Sequence, residues 1–331
     1  MEWGRVDTIA ANDISGTYVG RPKMTTIDSD TLGELRVTNP ADADACNARY
    51  VEDGYLFFRT ALEANDVLRA KRDMIRVLQQ QGLVKDGRSD PVWTGAGYDR
   101  IDDHPLYALE SCADLFGTAP MVRLLEQVFG EPVFVTRCMT IRFALPHDLV
   151  HVSAAHQDGF YVPGITELRT LWVPLMMIDR STAPLAVAVG SHKTGARKHI
   201  EQADLESYIL KGRKQSGVDW RHEDFDWLTA EFEPGDVLMF HRHTVHRALP
   251  NRSDCIRISL DTRCHPKSIL PTFQNQKTIL ELREYRDRAL GMASALGIGQ
   301  DDFEIMILEM MKWGTPVERG PMLAIKEELA R

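Results

Sequence analysis

The chain of 331 residues holds no Cys-x-x-Cys pair, and its five cysteines (Cys46, Cys112, Cys138, Cys255, Cys264) are scattered and odd in number. That pattern speaks against a disulfide framework and predicts free thiols in a reducing compartment. No uninterrupted apolar stretch approaches the length needed to cross a bilayer. The first residues lack the basic start and apolar run of a signal peptide, so the cytoplasm is the expected location and no membrane partner is expected. No stretch is dense in Lys and Arg, and the formal net charge is -9, which argues against a surface that tracks nucleic-acid phosphates. Internal repeats and low-complexity linkers are missing too, so one elaborated domain is expected in preference to two.

The composition itself is ordinary for a globular protein, with 44% hydrophobic and 26% charged residues. Residues 1–45 are polar and weakly periodic and read as an irregular arm. An Asp-Gly turn signal followed by strand formers lies in Tyr50–Arg59, and Ala61–Gln81 shows apolar residues at helical spacing. Residues 89–103 read as loop. One or two helices are expected over Pro105–Phe129, stopped at Gly130 before Pro132. From Val133 short β-branched or aromatic runs take over: 133–143, 150–155, 168–178, 185–189, 237–240 and 256–262. Turn clusters separate them, which predicts an antiparallel sandwich or barrel. Residues 193–232 form a polar insertion with aromatic anchors at Trp220, Phe225 and Trp227, read as a lid or as an anchored surface loop. Helices are expected again over 276–296 and 301–313. Met306, Met310 and Met311 there form a face for packing or for a homodimer.

Two stretches carry chemistry. In Ala154-Ala155-His156-Gln157-Asp158-Gly159-Phe160-Tyr161, an extended backbone would turn His156 and Asp158 to one face. An imidazole nitrogen and a carboxylate oxygen suit a first-row divalent metal, and a second histidine from elsewhere would complete a facial set with open positions. Taken alone, His-x-Asp reads better as an acid holding a surface histidine. The second stretch runs from the turn Pro234-Gly235-Asp236 through an apolar strand to His241, His243 and His246, and spacing does not choose among these three. Eleven residues past His246 stands Arg257, with Ser259 on its face. A guanidinium fork beside a hydroxyl suits a carboxylate.

With those residues in view, the chain resembles the phytanoyl-CoA dioxygenase family of Fe(II)/2-oxoglutarate-dependent oxygenases. The resemblance rests on DGYLF near residue 53, AAHQDGFY, TLWVPL followed by AVGSHK, and PGDVLMFHRHTVHRALPNRSDCIRIS, and spans about residues 48–265. It implies a mainly β, α+β fold, a double-stranded β-helix (jelly-roll, cupin-like) with flanking helices. The oxygenase domain would then be 46–270, with 271–331 a helical extension packed on it. It implies His156, Asp158 and His246 as iron ligands; the interval from His246 to Arg257 is what selects His246. Arg257 and Ser259 would grip 2-oxoglutarate, with Trp172 and Met139 walling it. Phe160, Tyr161 and Arg142 are candidates to meet a small-molecule substrate, and each reads equally well as packing or ion pairing. Relatives often carry Asn-Gly and Pro where this chain has Ala183-Pro184 and Val189, a variation confined to loops. Related halogenases lack the carboxylate supplied here by Asp158, so halogenation is not expected. The implied reaction consumes Fe(II)-activated O₂ and 2-oxoglutarate to oxidise a metabolite C–H, in a natural-product intermediate or an amino-acid derivative. Two other readings are an oxygenase or cupin-type isomerase needing no keto acid, for which Arg257 would have no use, and a barrel scaffold without iron.

Overall fold

The computed structural model describes residues 27–268, apart from 103, 136–138, 150, 162–166, 202–215 and 219–224. Local rules account for the helical flank. Helix α1 (Ala43–Asp53) starts where the Asp42 side chain accepts a hydrogen bond from the Ala45 N–H, and stops at Gly54, whose φ of 81° is left-handed. Strand formers follow at once. Helix α2 (Ala64–Gln80) buries Val67, Ala70, Met74, Ile75 and Leu78 at helical spacing. The segment expected to hold one or two helices holds three: α3 (His104–Tyr107), α4 (Glu110–Ala113) and α5 (Ala119–Phe129). The last is capped by Thr118 and ended by Gly130, at φ 71°.

The strands are, in order, β1 (Gly33–Glu34), β2 (Tyr55–Phe58), β3 (Val133–Val135), β4 (Thr140–Ala144), β5 (Arg169–Pro174), β6 (Leu185–Ala188), β7 (His199–Glu201), β8 (Ser216–Val218), β9 (Trp227–Thr229), β10 (Val237–His241), β11 (His246–Ala248) and β12 (Arg257–Pro266). A larger sheet runs β2-β10-β5-β12-β3, with β4 also on β12; a smaller one runs β1-β9-β6-β11; β7 and β8 form a ribbon. Apart from β1 on β9, the pairings between these strands are antiparallel. Two such sheets around a shared interior give the jelly-roll architecture that the family resemblance implies. Trp172, Phe232 and Phe57 stack edge to face within the core, at 4.8 and 5.4 Å between ring centres.

Several expectations change. The strand expected over 150–155 is absent from its described residues: only an isolated bridge forms, His156 to His246. Asp158 is not extended either; it opens the one-turn helix α6 (Asp158–Tyr161). Part of the arm is ordered, since β1 adds an edge strand and Arg180 donates to the Ser29 and Leu32 carbonyls behind it. The described insertion residues contribute β7, β8 and β9, and Phe225 packs edge-on against Trp227. Trp220, the helices expected over 276–296 and 301–313, and the proposed homodimer face lie outside the described residues. Among the described residues no helix is long and apolar enough to cross a membrane.

Gly54 and Gly130 share a left-handed backbone but not their surroundings. A Cβ on Gly54 would lie 2.3 Å from His192 Nδ1 and 2.7 Å from Thr244 Oγ1, whereas one on Gly130 meets nothing within 4 Å. Gly130→Ala is therefore expected to cost about 1–2 kcal/mol, the backbone term alone. Gly54→Ala should cost clearly more. Urea unfolding of the two variants checks this, and equal losses would refute the steric argument.

Candidate metal centre and cosubstrate cleft

His156 and His246 sit opposite one another across an antiparallel bridge. Each backbone N–H donates to the other residue's carbonyl at 3.0 Å. Such a pair puts both side chains on one face, and the two rings lie 4.3 Å apart. Each ring is then oriented by its own chain: His156 Nδ1 lies 2.7 Å from the Ala154 carbonyl and His246 Nδ1 3.0 Å from that of Thr244. A carbonyl only accepts, so Nδ1 carries the proton in both rings and the Nε2 lone pairs are left for a ligand. Burial, reinforced by the neighbouring His156, pulls the His246 pKa down to about 3, so the imidazole is neutral at working pH.

Asp158 supplies the carboxylate. Its Oδ1 lies 3.6 Å from His156 Nε2 and 3.7 Å from His246 Nε2, and the three ligand atoms fall within 4.8 Å of one another, all from buried residues. Burial alone would raise its pKa; Arg263 first, then His246 and His156, hold it well below the usual range. Gln157 locks the stretch between the ligands. It is 1% exposed. Its side chain donates to the Gly195 and His243 carbonyls and accepts from the Arg197 N–H, while its own N–H donates to His199 Nε2. Two imidazoles and one carboxylate form the donor set that a first-row divalent ion takes with positions to spare. Among the described residues, no other group of three His, Cys, Asp or Glu converges in this way. His241 and His243 are thereby excluded: the His241 ring packs on Tyr50 and His192 instead.

The triad lines a cleft of about 650 Å³, open mouth included, between the two sheets. Arg257 and Trp172 line it from the larger sheet, with Leu185 and Ala248 opposite. Arg257 is 3% exposed. It donates to the Ala183 carbonyl and, at 2.6 Å, to Ser259 Oγ, and forms no ion pair among the described residues. Burial and nearby Arg142 draw its pKa down to about 10, which still leaves it charged. A buried guanidinium without an acid is costly unless an anion arrives to meet it, so this corner fits a carboxylate.

The remaining expected residues divide. Trp172 lines the cleft; Met139 is buried in the main core and is not among the lining residues. Arg142 lines it too, but its Nε donates to Asp261 at 2.6 Å, so it is at least partly committed to an acid. Phe160 stacks on His199 at 4.1 Å and Tyr161 sits edge-on to His156, and neither borders the cleft. Three residues went unread in the sequence: Thr170, Asp261 and Arg263. The signal for two of them was alternation itself, since Arg257, Ser259, Asp261 and Arg263 fall at every second position of β12.

Comparison with known proteins agrees with this geometry. The sequence profile of the phytanoyl-CoA dioxygenase family, PhyH, matches residues 50–259. The chain belongs to that family. Two curated relatives are 32% identical: the 1-deoxypentalenic acid 11-beta-hydroxylases of Streptomyces arenae and Streptomyces exfoliatus, each match covering 72% of this chain and 88% of the relative. A solved structure, the epimerase SnoN in complex with Fe3+, alpha ketoglutarate and nogalamycin RO, superimposes with a TM-score of 0.51 at 20% identity, over 69% of this chain and 85% of that one. This phytanoyl-CoA dioxygenase relative is accordingly a non-haem oxygenase whose cofactors are Fe(II), 2-oxoglutarate and O₂, and the His156–Asp158–His246 cluster with Arg257 fits them.

The half-buried His241 bears on the acid stability of this oxygenase. Burial, then His192 and His243, pull the His241 pKa from 6.5 to about 3. Between those values the unfolded chain binds a proton that the folded one does not, so stability falls as pH drops below about 6.5. The urea midpoint of the metal-free protein should decrease from pH 7 to pH 5, and His241→Gln should flatten the slope. A slope unchanged by that substitution would count against the assignment.

Proposed function

We propose that the enzyme hydroxylates an unactivated C–H bond of a natural-product intermediate. One atom of O₂ enters the product while 2-oxoglutarate leaves as succinate and CO₂. Membership of the family and the two hydroxylase relatives support the reaction class. The observation that carries it is the pairing, in one cleft, of a buried His–Asp–His cluster with a buried guanidinium that forms no ion pair among the described residues.

In this reading His156, Asp158 and His246 hold the iron, which together with 2-oxoglutarate supplies the oxidising power when bound. Arg257 anchors the far carboxylate of the keto acid. Ser259 already accepts a hydrogen bond from Arg257, so its own proton is left to donate to the same carboxylate. Trp172 forms a flat wall beside them. Leu145, Val152, Leu185 and Leu249 give the cleft an apolar lining that fits a hydrocarbon skeleton and keeps water from the reacting centre.

Adding 2-oxoglutarate to the Fe(II)-loaded protein without O₂ should produce a weak visible charge-transfer band. His246→Ala should lose metal binding and the band together. Arg257→Ala should retain the metal while needing about 10- to 100-fold more 2-oxoglutarate, the worth of one to two charged hydrogen bonds. With isotope-labelled O₂ and a set of natural-product acids including 1-deoxypentalenic acid, a product carrying one labelled oxygen and a matching yield of succinate is expected. Oxidation that proceeds equally without 2-oxoglutarate would overturn the proposal.

A further inference from the structure

The two oxygens of Asp158 are not equivalent. Oδ1 faces the Nε2 atoms of both histidines. Oδ2 faces away and is held twice: Thr170 Oγ1 donates to it at 2.5 Å and Arg263 Nη2 lies 3.1 Å from it. Those two holders stand opposite one another in the β5–β12 register, so the fold presents them to Oδ2 as one cross-strand pair. Arg263 is itself fixed from behind. Its Nη1 donates to Asp261 Oδ1 at 2.5 Å, and the other oxygen of Asp261 takes the Arg142 Nε at 2.6 Å. Asp158 and Asp261 are at most 5% exposed and Arg263 is 14% exposed as side chains. The result is an alternating row, Arg142–Asp261–Arg263–Asp158, that starts with the half-exposed Arg142 at the cleft wall and ends, buried, on the metal cluster.

We propose that Arg263 and Thr170 are positioning residues that make Asp158 a one-oxygen ligand. With Oδ2 occupied by two donors, only Oδ1 is left for the ion, and the carboxylate cannot swing to offer both. The consequence is a count of positions: two imidazoles and one oxygen leave three of six open, enough for a chelating keto acid and one further ligand. A carboxylate released to bind through both oxygens would take one of those three. Asp261 holds the Arg263 fork in place, and Arg142 neutralises Asp261 so that it does not compete with Asp158 for the same guanidinium.

The inference rests on Asp158 being a ligand, and the test keeps the two apart. Ni(II) binding is measured by calorimetry, and the melting temperature of the metal-free protein is followed in parallel. Asp158→Ala that still binds Ni(II) as the wild type does would sink the ligand assignment itself. Given that assignment, Arg263→Gln should weaken Ni(II) binding by about 10- to 100-fold, and Thr170→Val by an amount toward the lower end of that range. Arg263→Lys, which keeps the charge but loses the fork, should recover part of the loss. In the Fe(II)-loaded Thr170→Val and Arg263→Gln proteins, the 2-oxoglutarate concentration at half-maximal charge-transfer absorption should rise, because the freed carboxylate oxygen competes for a position. A purely structural Arg263 would lower the melting temperature and leave metal affinity and that midpoint unmoved, which overturns the proposal. Should Arg263→Gln fail to fold, Thr170→Val decides alone: it removes one hydroxyl without changing side-chain volume much, and unchanged Ni(II) and 2-oxoglutarate binding refutes the assignment.

Discussion

The reciprocal hydrogen bonds between the backbones of His156 and His246 fix everything else about the centre. They join the chain just before α6 to the smaller sheet, and because the pair is directly opposed they bring two imidazoles to one point from residues ninety apart in sequence. From there the two chains diverge. β11 continues as a strand on β6, while the other chain turns at once into α6, which carries Asp158 back over the rings. A strand continuing through Asp158 would have kept its carboxylate on the same face but farther along the sheet. The turn is what closes the three ligand atoms to within 4.8 Å. Gln157, with both its amide atoms engaged, is the residue that makes the turn rigid.

The second constraint is electrostatic. Burial pushes carboxylates toward the neutral form and imidazoles away from the charged one, since a low-dielectric interior penalises charge. For His246 this helps, because a ligand must offer a lone pair. For Asp158 it would hurt, and the fold answers by placing Arg263 beside it. That guanidinium has to be buried as well, so it brings Asp261, and Asp261 brings Arg142. Each charge is tolerable only because the next one is present, which is why an inward-facing row of β12 is polar at four alternate positions while Ile258 and Leu260 between them are fully buried core.

Much of this was legible in the sequence, for physical reasons that differ by element. Helix α5 announces itself through Thr118 and Gly130, since caps and left-handed glycines act locally. The strands β5, β6, β10 and β12 fall on the expected apolar runs between turn clusters, although β5 stops at Pro174, short of the expected 178, and β12 extends to Pro266, past the expected 262. His156 and Asp158 come together, but not as the extended pair that local pattern suggests, because a bridge partner ninety residues away is invisible to it. The same blindness hid β11, three residues long and held by β6, and β9 inside the polar insertion. His246 could be separated from His241 and His243 only by family resemblance; in the structure, position across from His156 does it directly. Met139, Phe160 and Tyr161 are not among the residues that line the cleft, since chain proximity to a ligand says little about which way a side chain turns.

The overall charge illustrates how poorly a global quantity reports on a site. The chain carries a formal net charge of -9. Around the cleft Arg142, Arg257 and Arg263 stand against Asp148, Asp158 and Asp261, so the protein's own charged groups balance there. A divalent ion then leaves two positive charges in excess. The site therefore needs anions to reach neutrality, and a dicarboxylate cosubstrate is the kind of molecule that supplies them. Because the excess lies in a walled cleft rather than on open surface, it is screened little by salt and acts at short range, on molecules that have already entered. An acidic exterior and a cleft made cationic by its metal are thus compatible: the first governs long-range encounter, and the second governs what is retained beside His156, Asp158 and His246.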